Sequence, residues 1–170
     1  MTDAERHAEA LLAAIGFAGD PEMAGTARRF AALLGEFVPA PLEPLSVCAT
    51  TQPGPVVVRA IPFHSLCAHH LLPFSGQVSV GYVPDATLLG LGSIPRLVGA
   101  LARRPQLQER LGEQIADEIE RAAQPLSVVV EVRARHLCVE MRGSRTPAQV
   151  VTLARRGADH PWLLARVSEG

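Results

Sequence analysis

Aromatic residues are scarce in this chain: Phe, Tyr and Trp together make up 4% of 170 residues. So few flat rings argue against a base-stacking platform for single-stranded nucleic acid. Charge is nearly balanced, with 16 Lys and Arg against 17 Asp and Glu, which argues against a nucleic-acid binder relying on a basic surface. No apolar run approaches the roughly 20 residues needed to cross a bilayer. The opening Met1-Thr2-Asp3-Ala4-Glu5 lacks the basic start and apolar stretch of a secretory leader. A cytoplasmic protein is expected, without nucleic-acid or membrane partners. Cysteine is also rare, at three residues. That odd number in a reducing compartment favours metal or catalytic use over a disulfide framework. Repeats and low-complexity segments are missing too.

What is present is a chain that is 48% hydrophobic, enough for one domain with a sizeable core. Asp3 to about Phe17 carries a helical stripe through Leu11, Leu12 and Ile15. Asp20-Pro21 predicts the start of a second helix running to about Phe37. Pro39, Pro41 and Pro44 then form a connector. The expected organisation is a helical segment over 1–45 followed by the main domain over 46–170. Residues 55–63 and 75–84 predict two strands in close succession, hence antiparallel. Ser93 is expected to cap a short helix to about Arg103, and Pro105 to open a longer one to about Gln124. In the longer helix, Leu107, Leu111, Ile115 and Ile119 define the buried stripe. Residues 126–135 predict a strand with Val128, Val130 and Val132 on one face, and 148–153 a last strand. The tail beyond Gly157 suggests a helical turn around Trp162.

The chemistry concentrates in His64-Ser65-Leu66-Cys67-Ala68-His69-His70. Cys67 and His70 are spaced so that one tight turn can aim a thiolate and an imidazole at one point, a pair that suits Zn2+. Two ligands do not hold a metal. Cys138, within His136-Leu137-Cys138, is the candidate third. Three protein ligands leave a fourth position for water, as catalytic zinc requires. An extended segment over 136–142 would put His136, Cys138, Glu140 and Arg142 on one face. For any lone histidine the ordinary reading is a capped turn with satisfied ring nitrogens. Two cysteines beside the histidine pair weigh against it here. Cys48, His7, His64 and His160 are read as structural.

Three motifs together resemble the GTP cyclohydrolase I family, over about Phe63 to Arg145. They are Ser65-Leu66-Cys67-Ala68-His69-His70-Leu71-Leu72-Pro73-Phe74, Arg103-Arg104-Pro105-Gln106-Leu107-Gln108-Glu109-Arg110-Leu111, and His136-Leu137-Cys138-Val139-Glu140-Met141-Arg142-Gly143. A weaker match covers Thr26 to Phe30. The resemblance implies an α+β tunnelling fold. N-terminal helices precede an antiparallel sheet with two helices packed on one face, and subunits form a barrel, a decamer in bacterial members. It implies conversion of GTP and water to dihydroneopterin triphosphate and formate, the entry to folate and other pterins. By the same resemblance Cys67, His70 and Cys138 bind zinc, and His69 and His136 transfer protons. Gln108 and Glu109 hold the guanine edge, and Arg96, Arg142 and Arg29 face the triphosphate.

These residue types suit that chemistry. Purine C8 is a poor electrophile, so attack needs an activated water and a proton for the ring nitrogen. A carboxylate can accept guanine N1–H and the 2-amino group together, a match adenine cannot make. Arginine forks grip phosphate oxygens. The plainer readings are a solvated helix face for Glu109, a surface position for Arg96, and an ion pair with Glu140 for Arg142. Three departures from the family pattern stand out. Ala68 replaces a usual Glu. Gly90-Leu91-Gly92-Ser93 replaces Gly-Leu-Ser-Lys. Thr146-Pro147-Ala148-Gln149 and Thr152-Leu153 replace Lys-Pro-Gly-Ser and Thr-Ser. They thin the phosphate clamp and keep open a paralogue acting on a different guanine nucleotide. A non-catalytic zinc-bearing oligomer that binds a pterin or purine is the other alternative.

Overall fold

Thr2 opens the chain with a reciprocal cap: its hydroxyl accepts from the Glu5 amide at 3.2 Å, and the Glu5 carboxylate accepts from the Thr2 amide at 2.9 Å. Helix α1 follows over Asp3–Ala14. The computed structural model describes residues 1–52 and 54–169. Gly170, in the expected tail, lies outside them. The single long second helix predicted from Asp20 is interrupted. Asp20 caps a one-turn 3-10 helix, Pro21–Met23, and Gly25 takes a left-handed φ of 74° before α2, Thr26–Gly35. A left-handed residue cannot continue a right-handed helix, and glycine adopts that conformation without penalty. These helices belong to a compact unit, Met1–Val38, and the rest of the chain forms a second.

The second unit is built on a five-stranded sheet in the order β5-β2-β3-β6-β7. Its strands are β2 (Val56–Cys67), β3 (Pro73–Val83), β5 (Pro105–Gln106), β6 (Ser127–His136) and β7 (Gln149–Gly157). All neighbours are antiparallel except the two-residue β5, which runs parallel to the end of β2. A separate pair, β1 (Val47–Ala49) with β4 (Thr87–Leu89), went unread because each strand is too short for alternation to show.

Alternation sorts the sheet's two faces. Val78, Val80, Tyr82, Val128, Val130 and Val132 are fully buried under two helices, α3 (Ser93–Ala102) and α4 (Gln108–Ala123). Leu111, Ile115 and Ile119 form the α4 stripe and are also fully buried. Burying each such side chain stabilises by about 1.5–3 kcal/mol. The other face carries Val129, packed with Leu163 and Val167 of α6, Pro161–Ser168. Gly81 permits this close approach, since a Cβ there would lie 2.6 Å from Val167.

Two helix starts differ from expectation. Gly92 occupies the cap of α3 and Ser93 is its first residue. Pro105 belongs to β5, so α4 begins three residues later, after Leu107. The β5 pairing to Leu66 and Cys67 explains the delay: those backbone groups join the sheet before the chain can wind.

Candidate active site

Antiparallel pairing brings the end of β2, the start of β3 and the end of β6 to one end of the sheet. There β2 delivers Cys67 and the chain reverses. The Cys67 amide donates to the Leu72 carbonyl at 2.8 Å and the Ala68 amide to Gln106 at 2.9 Å. The Cys67 carbonyl accepts from the amides of His70 and Leu71, at 3.2 and 2.8 Å. Leu71 completes the reversal at a left-handed φ of 53°. This turn sets Cys67 Sγ and His70 Nδ1 3.7 Å apart.

On the other side, β6 ends at His136 and the chain does not stay extended. It winds into a four-residue helix, α5, Leu137–Glu140. The shared face expected for His136, Cys138, Glu140 and Arg142 therefore does not exist; a helical turn delivers Cys138 instead. The turn is tied back to β6 by Arg135, which donates twice to the Glu140 carboxylate at 2.8 and 2.7 Å. Glu140 thus pairs with Arg135, not with Arg142.

The ligand atoms of Cys67, His70 and Cys138 all lie within 4.8 Å of one another. Tetrahedral zinc, with bonds of about 2.0–2.3 Å, sets adjacent ligand atoms roughly 3.5–3.8 Å apart. The Cys67–His70 separation already meets that range, and the two-sulfur, one-imidazole donor set suits zinc. Burial, then the neighbouring Cys67 sulfur, push the Cys138 thiol above its ordinary value, while Arg142 opposes the shift. A divalent cation is what would hold both sulfurs as thiolates. Cys48 is exposed on β1 and stands outside this group.

His136 lies directly across from Phe74 in the β3–β6 register, and the two rings stack with centroids 4.6 Å apart and planes 4° from parallel. Its Nε2 is 2.8 Å from Oε1 of Gln108. Burial lowers the His136 pKa from the ordinary histidine value, and the carboxylates of Glu109 and Glu140 partly offset that. Glu109 stands next to Gln108 in the first turn of α4, where a negative charge complements the helix dipole. Its carboxylate is exposed and has no hydrogen-bond or ion-pair partner among the described residues.

Gln108 is placed differently from expectation. It is 2% exposed, and its amide nitrogen donates to the carbonyls of Val132 and Val150 at 2.9 and 3.0 Å, with Thr152 Oγ1 at 3.2 Å. With Oε1 against His136, both ends of the side chain meet other protein groups. Nothing in the linear pattern distinguished Gln108 from its exposed neighbour except its place on the α4 stripe, three residues before Leu111.

His69 is exposed, its ring 6.2 Å from that of His70 and nearly perpendicular to it. Arg142 is exposed and close enough to Cys138 to act on it electrostatically. Arg96 lies on the first turn of α3, its Nη2 3.4 Å from the Ser93 hydroxyl. That hydroxyl is buried and 2.5 Å from the hydroxyl of Ser46. Arg29 belongs to α2 of the N-terminal unit, where it donates to the Thr26 hydroxyl at 2.9 Å. The residues gathered at the sheet end are thus Cys67, His69, His70, Gln108, Glu109, His136, Cys138 and Arg142.

Comparison with known proteins follows the same lines. The family model for GTP cyclohydrolase I matches residues 4–160. A curated GTP cyclohydrolase 1 of Leifsonia xyli subsp. xyli is 49% identical over 135 residues, covering 79% of this chain and 66% of that protein. The GTP cyclohydrolase 1 of Aquifex aeolicus is 50% identical over 103 residues, 60% of this chain and 56% of that protein. The chain therefore spans roughly 56–66% of the length of these curated relatives. Among solved structures, an apo archaeosine synthase QueF-Like superposes with a TM-score of 0.54 at 22% identity, covering 65% of this chain and 100% of that one. At that identity the likeness speaks for the fold alone, which is the tunnelling fold.

Proposed function

The chain belongs to the GTP cyclohydrolase I family, and from that membership we propose that it opens the imidazole ring of GTP hydrolytically at C8. The products are formate and dihydroneopterin triphosphate, a precursor for folate and other pterins. The observation that carries this reading is the convergence of Cys67, His70 and Cys138, from two distant segments, beside His69 and His136.

Cys67, His70 and Cys138 are proposed to hold one zinc ion. When bound, such an ion acts as a Lewis acid that makes an activated water available near neutral pH. The protein's own groups do the rest. Glu109 accepts the N1–H and 2-amino protons of guanine, so the exposed carboxylate reads the base. His69 gives a proton to N7 as water adds to C8 and the C8–N bond weakens. His136 serves the later proton shifts that follow loss of formate. Arg142 and Arg96 bind phosphate oxygens, and Arg29 is a third candidate for that task. The catalytic region is taken as 46–170, in a cytoplasmic homo-oligomer; a decamer is the family's expectation.

A second reading stands beside it: the same ring opening on a guanine nucleotide with fewer phosphates. The occupied Ser93 hydroxyl favours it, because Ser46 already binds that group and Gly92 offers no side chain. A charge-assisted contact is worth about 1.5–3 kcal/mol, so a missing lysine matters more for a triphosphate than for a monophosphate.

One experiment addresses both readings. Zinc-loaded protein is incubated with GTP, GMP and guanosine while formate and pterin fluorescence are followed. GTP is expected to give both products, and His69→Ala to keep its metal while losing product formation. Turnover of GMP but not GTP selects the second reading. Binding without formate from any substrate removes both.

A further inference from the structure

Gln108 sits where a substrate contact was expected, yet it is buried and faces other protein groups. One end of its side chain meets the carbonyls of Val132 and Val150. A carbonyl oxygen only accepts, so that end must be the NH2 group; the reverse orientation would set three acceptors together. The amide oxygen is then fixed on His136 Nε2, at 2.8 Å. An amide oxygen likewise only accepts, so Nε2 must carry the hydrogen. The Phe74 ring, stacked within 4° of parallel, holds the imidazole plane in this orientation.

We infer that Gln108 is a positioning residue that locks His136 as the Nε2–H tautomer, leaving Nδ1 as the acceptor nitrogen of the ring. This deepens the proposed function and rests on it for the role of His136 toward substrate. The lock is anchored on both β6 and β7, through Val132 and Val150, so it does not depend on bound nucleotide. Gln108 neither gains nor loses a proton. Substrate specificity toward the base edge passes to Glu109, the adjacent exposed carboxylate.

The test is the ring-nitrogen NMR spectrum of zinc-loaded protein labelled with 15N-histidine, with His136 signals identified by their loss in His136→Asn. The expected result for neutral His136 is a protonated Nε2 and an unprotonated Nδ1, as a single tautomer. A proton on Nδ1, or an averaged mixture of tautomers, overturns the inference whatever the activity. Gln108→Met, close in length and apolar, is expected to release a tautomer mixture and to lower kcat roughly 10–100-fold with KM little changed. An unchanged spectrum and unchanged kcat in a folded Gln108→Met protein also overturn it. If that variant fails to fold, the parent spectrum alone decides. A protein that shows the Nε2–H tautomer but makes no formate contradicts the proposed activity and leaves this assignment standing.

Discussion

Single residues decide most of what the candidate site can do, and several are used against their ordinary preference. Leu71 holds a left-handed conformation so that the Cys67 carbonyl can accept from both His70 and Leu71; this costs about 1–2 kcal/mol. Tyr82 is fully buried in a core of valines, where its hydroxyl accepts from the Leu89 amide at 3.0 Å. Burial, the largest influence, raises its pKa above the ordinary value. The sign of the consequence follows from linkage. A phenol whose folded pKa is raised favours folding fully below the unfolded value of about 10, and that contribution is lost as pH rises beyond it. Urea unfolding of the parent should therefore weaken above pH ~10 by a step that Tyr82→Phe lacks. At neutral pH Tyr82→Phe should cost about 1–3 kcal/mol, because the Leu89 amide loses its acceptor. Equal alkaline slopes in the two proteins would contradict the assignment. At this scale the sequence nominated the three clustered ligand candidates, but it could not show that Gln108 is buried, because side-chain burial depends on neighbours from β6 and β7.

At the scale of elements, the regular pieces were legible and the junctions were not. Alternation through Val78, Val80 and Tyr82, and through Val128, Val130 and Val132, announced β3 and β6 correctly. The spacing of Leu111, Ile115 and Ile119 did the same for α4. The segment after His136 misled, since four residues of helix leave no periodicity to read. So short a helix is not stable by itself. It is held by the strand before it and by the double Arg135–Glu140 contact. That contact should matter for metal binding more than for global stability. Glu140→Gln is expected to weaken zinc affinity about tenfold in a chelator competition, with little change in thermal midpoint because the pair is exposed on the arginine side. Unchanged affinity would mean that β6 alone positions Cys138.

For the molecule as a whole, the fold's role is to bring distant segments together. Cys67 and Cys138 are far apart in sequence, and only the order β2-β3-β6 explains why their sulfurs meet. Spacing nominated both residues, but no local pattern could show their convergence. Pairing registers such as Phe74 with His136 are decided by the complete sheet. The same argument explains why β1 and β4 escaped notice: each is three residues long and exists through its partner. The family model covers residues 4–160, yet the roles proposed at the sheet end depend on whether those three ligands hold a metal. Zinc content of the purified protein and of Cys138→Ser, determined per chain in parallel, tests this most directly. About one zinc per chain is expected in the parent and a substoichiometric amount in the variant. No stoichiometric metal in the parent, or full metal in Cys138→Ser, would contradict the account.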